Sequence, residues 1–163
     1  MHVKDDTGAG AGGVAISAAG QNKKTDKSGF VAFDALPADS YTAGLGPLTG
    51  AYDPPPETSK STQVQNGGVK VLSFTLRRRA KLKVKVVQKG APSNVLEKAD
   101  VTVTGDESPP AGKTKAGNGI ADFGSVKAGD YFISVALSTK DAENFKAPTD
   151  PVEVKLAPGD DKT

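Results

Sequence analysis

Residues 23–41 read KKTDKSGFVAFDALPADSY, and residues 113–131 read KTKAGNGIADFGSVKAGDY. The second stretch follows the first by 90 positions without a gap, and several identical residues recur along it. These are Lys23 and Lys113, Gly29 and Gly119, Phe33 and Phe123, Ala38 and Ala128, and Tyr41 and Tyr131. Self-similarity at a fixed period indicates a repeated structural unit. The repeat predicts two related domains, 1–79 and 80–163, and a function spread over an array.

The composition favours a β-sheet fold for both domains. The chain has 163 residues with 19 Gly and 11 Pro, and its apolar residues form short alternating runs between turn-forming residues. Such spacing is typical of an all-β sandwich, and no stretch carries the longer apolar period of an amphipathic helix. We therefore expect two tandem Ig-like sandwiches of about seven strands each. At roughly 80 residues, each domain can bury only a small core.

Each repeat carries a predicted turn followed by a strand. Asn118 and Gly119 are typical of a tight hairpin whose residues adopt positive φ. Gly29 supplies the same backbone freedom in the first domain. The strands predicted beside these turns are 29–33, 113–116 and 119–123.

The predicted structural core uses matching positions in the two repeats. It consists of Phe33, Leu36, Tyr41, Phe123, Val126 and Tyr131. Phe30 is expected to join this core from the first strand after the turn. Each of the two Tyr residues can bury its ring and return its hydroxyl to an upstream backbone group, as in a tyrosine corner.

Positive charge is concentrated between the two predicted domains. The net charge is only +2, yet positions 77–89 hold seven cationic residues and no acid: Arg77, Arg78, Arg79, Lys81, Lys83, Lys85 and Lys89. Lys81, Lys83 and Lys85 alternate with apolar residues, as a half-buried strand requires. No aromatic residue is interleaved for base stacking. We interpret the run as a solvated strand and expect no nucleic-acid partner.

Residues suited to catalysis are scarce. Cys is absent and His2 is the sole histidine, so nucleophile–histidine catalysis and a zinc centre lack their residues. We expect no enzymatic activity, no catalytic residues, no metal and no cofactor. The sequence has no apolar segment of about eighteen residues, so no membrane insertion is expected.

Loops and strand edges are the candidate contact surfaces. The candidate partner-contact residues are Tyr52, Pro54, Pro55, Pro56, Arg77, Arg78 and Arg79. The first domain closes with an alternating strand over 69–76 that has no counterpart in the second domain. We therefore expect the second domain to lack its last strand and to offer a sheet edge for strand addition by a protein partner.

Residues 25–41 resemble the carboxypeptidase regulatory-like family, which belongs with transthyretin (prealbumin)-like and collagen-adhesin B-type (Cna-B) domains. The family signature is a Thr-Asp, a Gly, an alternating strand, then Leu-Pro-Ala-Gly and a Tyr. Here Asp39 replaces the Gly of Leu-Pro-Ala-Gly, whereas the second repeat keeps it as Gly129. The resemblance implies two tandem transthyretin-like folds. It also implies a role as a spacer, stalk or adaptor, because such domains serve those purposes in many proteins.

Repeat and resemblance together predict a non-enzymatic structural or adaptor segment of a larger bacterial secreted or secretion-associated protein. A cargo-docking extension of a type VI secretion spike is one example. The alternative is a carbohydrate- or cell-wall-binding module with a polysaccharide ligand, although few aromatic residues could stack on sugars. The expected location is secreted, cell-surface or associated with a secretion apparatus.

Overall fold

The computed structural model describes residues 1–115 and 117–163. They form two compact units, Met1–Arg78 and Arg79–Thr163, here unit 1 and unit 2. Strands supply nearly all of the regular structure, and the single helix among the described residues is four residues long. The predicted all-β sandwich fold class is confirmed.

Unit 1 consists of two sheets that share a core. Its strands are β1 His2–Asp5, β2 Ala15–Ala18, β3 Gln21–Lys24, β4 Asp39–Leu45, β5 Tyr52–Asp53, β6 Ser59–Val64 and β7 Ser73–Arg78. One sheet has the order β1-β7-β5, with β1 and β7 parallel, and the other has the order β3-β2-β4-β6. Alternation along β1 and β7 buries Val3, Phe74 and Leu76, which pack with Ile16 of the second sheet.

Unit 2 has a four-stranded and a three-stranded sheet, with a separate two-stranded ribbon. Its elements are β8 Ala80–Lys85, β9 Val87–Gln88, β10 Ala91–Val95, β11 Asp100–Gly105, β12 Gly112–Lys113, β13 Ile120–Val126, β14 Gly129–Ala136, α1 Thr139–Ala142, β15 Val152–Leu156 and β16 Asp161–Lys162. The sheet orders are β12-β11-β14-β15, β13-β8-β16 and β10-β9. Leu82, Val101, Val126 and Tyr131 are buried together in its core.

A buried threonine ties a loop to the neighbouring strand in each unit. In unit 1 the Thr25 hydroxyl donates to the Ala11 carbonyl at 2.6 Å and accepts from the Val14 amide at 3.0 Å. In unit 2 the Thr114 hydroxyl donates to the Leu96 carbonyl and accepts from the Ala99 amide, both at 2.9 Å. A buried hydroxyl satisfies two backbone groups in both places, as burial of polar groups requires.

These threonines change the alignment of the repeats. Thr25 and Thr114 make matching bonds although they are 89 positions apart, whereas Gly29 and Gly119 are 90 apart. The second stretch has one more residue between its threonine and its turn glycine than the first, so the gap-free alignment does not place the two threonines opposite each other. The predicted strand 113–116 is also shorter in the structure: β12 ends at Lys113, and Ala116 lies outside the described residues.

The predicted tight turn at Asn118 has a different geometry. Positive φ belongs to Gly117, at 84°, and Gly119, at 62°, and Asn118 is not among the described residues with positive φ. The Asn118 side-chain oxygen instead accepts a hydrogen bond from the Ile120 amide at 3.0 Å. In unit 1 Gly29 has the expected positive φ of 79°, and the Asp26 carboxylate accepts from the Phe30 amide.

The strand predicted over 29–33 is wrong. Phe30 makes one isolated bridge to His2, and its side chain stacks on the His2 ring with 48% of its surface exposed. In unit 2 the matching β13 pairs along the whole of β8. In unit 1 the segment after the turn forms no regular ladder with β1, and the Val31 amide donates a hydrogen bond to the Met1 carbonyl at 3.0 Å. Phe30 is consequently not a core residue, because no described strand covers it.

The predicted core positions therefore have different surroundings in the two units. Val126 and Tyr131 are buried in unit 2, and Phe123 is half-buried against the same core. In unit 1 the side chain at position 33 is half-buried against the core, while Leu36 and Tyr41 line an open groove and are not part of the buried cluster. Packing in unit 2 depends on β13, which has no regular counterpart in unit 1.

The tyrosine hydroxyls behave as predicted. Tyr41 donates to the Pro37 carbonyl at 3.0 Å, and Tyr131 donates to the Lys127 carbonyl at 2.8 Å. Each bond reaches back four residues and fixes the corner that leads into β4 or β14.

Candidate partner-binding surfaces

An apolar groove opens on unit 1, here called the unit 1 groove. It encloses about 510 Å³ and is lined by residues 30–36 and 68–72, with Tyr41 and Ala43 at its floor. Val69 and Val71 at its rim are 88% and 65% exposed. Exposed apolar side chains grouped around a concavity mark interaction sites on proteins.

A second groove, here called the unit 2 groove, runs along β8 and β9. It encloses about 730 Å³ and is lined by residues 84–89 and 144–148, with Leu96, Val135 and Val152 among its other apolar residues. Val84 of β8 and Val86, which follows that strand, pack against the core of unit 2 yet are only half-buried at the groove wall. The groove therefore leaves apolar surface of β8 uncovered.

The predicted contact residues Tyr52, Pro54, Pro55 and Pro56 lie on one edge of unit 1. Tyr52 in β5 pairs with Arg78 of β7 and packs against the core, so only part of its ring is free. Pro54 and Pro56 are exposed and Pro55 is half-buried. The structure thus places the three prolines at the surface but uses Tyr52 partly for packing.

Arg77, Arg78 and Arg79 do not form one free cationic patch. Arg77 is exposed on β7, opposite Asp53. Arg78 Nε donates to Asp6 Oδ1 at 2.8 Å and lies 3.7 Å from Asp5 Oδ2. The hydrogen bond to Asp6 raises the pKa of Arg78. A hydrogen bond from the Thr7 side chain, with smaller contributions from backbone amides, lowers the pKa of Asp5.

Arg79 is a structural residue of unit 2. Its Nη2 lies 2.5 Å from Glu107 Oε2 and 3.1 Å from the Ser125 carbonyl oxygen. Glu107 also accepts from the Lys127 amide at 2.8 Å. The hydrogen bond from Arg79, followed by that from Lys127, holds the pKa of Glu107 below its ordinary value. The pair fastens the loop after β11 to the corner between β13 and β14.

The residues whose side chains tie loops to neighbouring backbone were not identified from the sequence; they are Thr25, Thr114 and Glu107. Thr25 and Thr114 could have been found, since a Thr recurs beside each turn, but the gap-free alignment placed them out of register. Glu107 carried no signal, because its partners Arg79 and Lys127 are distant in sequence.

Chemistry-bearing side chains are dispersed over the described parts of the chain. Residues 1–115 and 117–163 contain no group of three His, Cys, Asp or Glu side chains placed to hold a metal ion. Among these residues, none of the helical structure is long and apolar enough to cross a membrane.

Solved structures similar to this chain include a Bacillus anthracis protein and a streptococcal pilin. No family model matches the chain, and no curated protein does. The Bacillus anthracis TIE protein matches over 99% of this chain with 16% identity and a TM-score of 0.48. A streptococcal ancillary pilin matches over 99% with 12% identity and a TM-score of 0.50. This chain spans 31% and 59% of those two chains, respectively. At such identity the likeness to the pilin shows a shared β-sandwich fold.

Proposed function

We propose that this chain is a non-enzymatic structural or adaptor segment of a larger secreted or surface-associated bacterial protein, which holds protein partners through open sheet edges. A docking extension of a secretion spike is one assembly of this kind. The observation that carries the proposal is the grouping of exposed apolar side chains around an open groove, as at Val69 and Val71 beside residues 30–36. Uncovered strand edges recruit other chains.

We also propose that the two units are copies of one transthyretin-like module. Support comes from hydrogen bonds repeated in each unit. Besides the threonines and tyrosines, the Val3 amide donates to the Gly29 carbonyl at 2.8 Å and the Val86 amide donates to the Gly119 carbonyl at 2.9 Å. A module used twice suits spacing and presentation better than a single reactive site.

The test is retention of a partner by the purified chain. The chain is immobilised and exposed, in parallel, to secreted and envelope proteins and to purified cell-wall polysaccharide. We expect one protein to be retained, to be identified by mass spectrometry and to bind again when purified. The double variant Val69→Glu and Val71→Glu should lose it, because charge on the groove rim opposes apolar contact.

Phe132→Glu is the matched control, since Phe132 is also an exposed apolar residue but lies on β14 of unit 2. It should retain the partner. Retention of polysaccharide instead of protein would contradict the proposal, as would turnover of a substrate that disappears when a particular carboxylate is replaced.

A further inference from the structure

Strand β8 has one fully paired edge and one that is paired only at its start. On one side β13 pairs from Ala80 to Lys85. On the other side β16 runs parallel and pairs with Lys81 and Leu82. Among the described residues, no strand continues this pairing past Leu82. Because the Lys81 amide donates to the Asp160 carbonyl at 2.7 Å, the amides of Lys83 and Lys85 point to the same open side.

In unit 1 the corresponding strand is β1, and its equivalent edge is paired with β7. Val3 of β1 corresponds to Val86, because each donates its amide to a turn glycine and accepts at its carbonyl from Ala11 or Leu96. In unit 1 β7 lies parallel to β1 and pairs with it from His2 to Asp5. Its inward side chains, Phe74 and Leu76, are buried, and Val3 is 0% exposed.

The corresponding place in unit 2 is the unit 2 groove. Val86 is only half-buried there, and Val84, Leu96 and Val135 line the same space. The volume of about 730 Å³ lies within the range of protein binding pockets. The positions that Phe74 and Leu76 cover in unit 1 are thus open apolar surface beside unpaired backbone groups.

The lysines of β8 indicate which side chains the outward face of an added strand would carry. Lys83 and Lys85 alternate with the apolar residues of β8, and Lys89 follows further along, with no acid in positions 77–89. At the paired end, Asp161 of β16 stands beside Lys81 with 3.9 Å between Nζ and Oδ2. Continuing that pairing would place outward side chains of the next strand beside Lys83 and Lys85, where carboxylates are favoured.

We propose that the unit 2 groove binds a β-strand of a partner polypeptide, parallel to β8 and alongside residues 84–88, with apolar side chains inward and acidic side chains outward. This inference rests on the proposed adaptor function and names the chemistry of its partner. Backbone hydrogen bonds along the edge supply affinity, and the alternating side chains supply specificity.

The test uses a labelled peptide with the sequence of residues 71–76, carrying Glu at the positions of Val71 and Ser73, which stand beside Lys83 and Lys85 in the register of β1 and β7. Its binding to the full chain is measured by fluorescence anisotropy. We expect saturable binding that is about tenfold tighter than that of the same peptide with Lys at those two positions. Asp at the positions of Phe74 and Leu76 should abolish binding.

Two further changes, one in the peptide and one in the protein, test whether binding uses the β8 edge. The change in the peptide cannot be confused with misfolding of a protein variant. N-methylation of alternate peptide residues removes the donors that face β8 and should abolish binding. The protein variant Val86→Asp should also abolish it, whereas Val71→Asp on unit 1 should bind normally. Binding that survives N-methylation, or that is lost only with Val71→Asp, would overturn the assignment to the β8 edge.

Register and orientation are examined with single cysteines, which the chain otherwise lacks. Lys85→Cys should form a disulfide with a peptide cysteine at the position of Ser73, because these positions correspond to the pair His2 and Ser73 of unit 1. A cysteine at the position of Thr75 should react poorly. Equal reaction at both positions would overturn the parallel register.

A fusion protein tests whether the strand comes from a partner or from the same polypeptide. The same six residues are appended after Thr163, and the melting temperature of unit 2 is measured. An increase together with binding of the free peptide supports the proposal. Stabilisation by the fusion alone would overturn a partner in trans and assign the groove to a strand of the same polypeptide. If the fusion does not raise the melting temperature and the free peptide does not bind, the strand-binding proposal is overturned. The retention test on the unit 1 groove is unaffected by that result, so the two proposals fail separately.

Discussion

At the residue scale, small polar groups position the backbone around modest cores. Thr25 and Thr114 are buried although Thr is usually exposed, and each hydroxyl bridges a carbonyl and an amide of one loop. Removing such a bridge leaves two buried backbone groups without a partner, which costs more than the bridge itself contributes.

Thr114→Val should destabilise unit 2 by about 1–3 kcal/mol, because the Leu96 carbonyl and Ala99 amide lose the hydroxyl they share. Thr114→Ser keeps the hydroxyl and should recover most of the loss. Urea unfolding followed through NMR signals of unit 2 measures both. Equal stability of the Val and Ser variants would show that the bridge does not matter.

The two tyrosines form a matched pair for the corner bond. Tyr131→Phe should cost about 1 kcal/mol, because its hydroxyl bond lies in a buried corner. Tyr41→Phe should cost only a few tenths of that, since its bond to Pro37 is exposed to solvent. The measurement is the unfolding free energy of each unit, and a larger loss for Tyr41→Phe would contradict this ranking.

Gly29 is restricted by both conformation and space. Its φ is 79°, and an added Cβ would lie 2.0 Å from the Val3 carbonyl oxygen. Gly29→Ala should therefore destabilise unit 1 by more than about 3 kcal/mol, since β1 must move away from the turn. Gly20→Ala is the control, because Gly20 has φ of 72° with open space around it, and should cost about 1–2 kcal/mol. Similar losses in the two melting curves would contradict the steric argument.

At the element scale, the repeated sequence predicts more similarity than the strands show. Phe33 and Phe123 are identical, yet Phe123 lies at a bulge of β13 while residues 31–34 form no strand. Alternation predicted both strands because it reports which face is apolar, and it contains no information about the neighbouring strand. Val126 and Tyr131 could be predicted as core residues; the open positions of Leu36 and Tyr41 could not, since they depend on what lies opposite.

The Arg79–Glu107 pair joins elements that are separate in sequence, and it makes unit 2 sensitive to acid. The pKa of Glu107 is lowered in the folded state, so its contribution is present above the unfolded value of about 4.3 and is lost as the pH falls below it. The melting temperature of unit 2 should fall on acidification below about pH 4.3. Glu107→Gln should flatten this part of the profile. An unchanged acid limb in Glu107→Gln would contradict the assignment.

At the scale of the whole chain, two β units each combine a small buried core with exposed apolar surface. Each keeps a few large apolar side chains inside, such as Phe74 in unit 1 and Tyr131 in unit 2, and each has apolar side chains around an open groove. The cationic run could be predicted as a strand from its alternation. That Arg78 and Arg79 are engaged by carboxylates could not, because Asp6 and Glu107 are remote in sequence.

The most direct measurement of the account is amide hydrogen exchange of the full chain with and without the Glu-containing peptide, resolved by residue. We predict that the amide of Lys85 exchanges at least about tenfold more slowly with peptide bound, because it would donate to the peptide as the His2 amide donates to the Leu72 carbonyl in unit 1. Amides of β13 should change little because they are already paired. Unchanged exchange at Lys85 under saturating peptide would contradict the claim that this chain acts through its open strand edges.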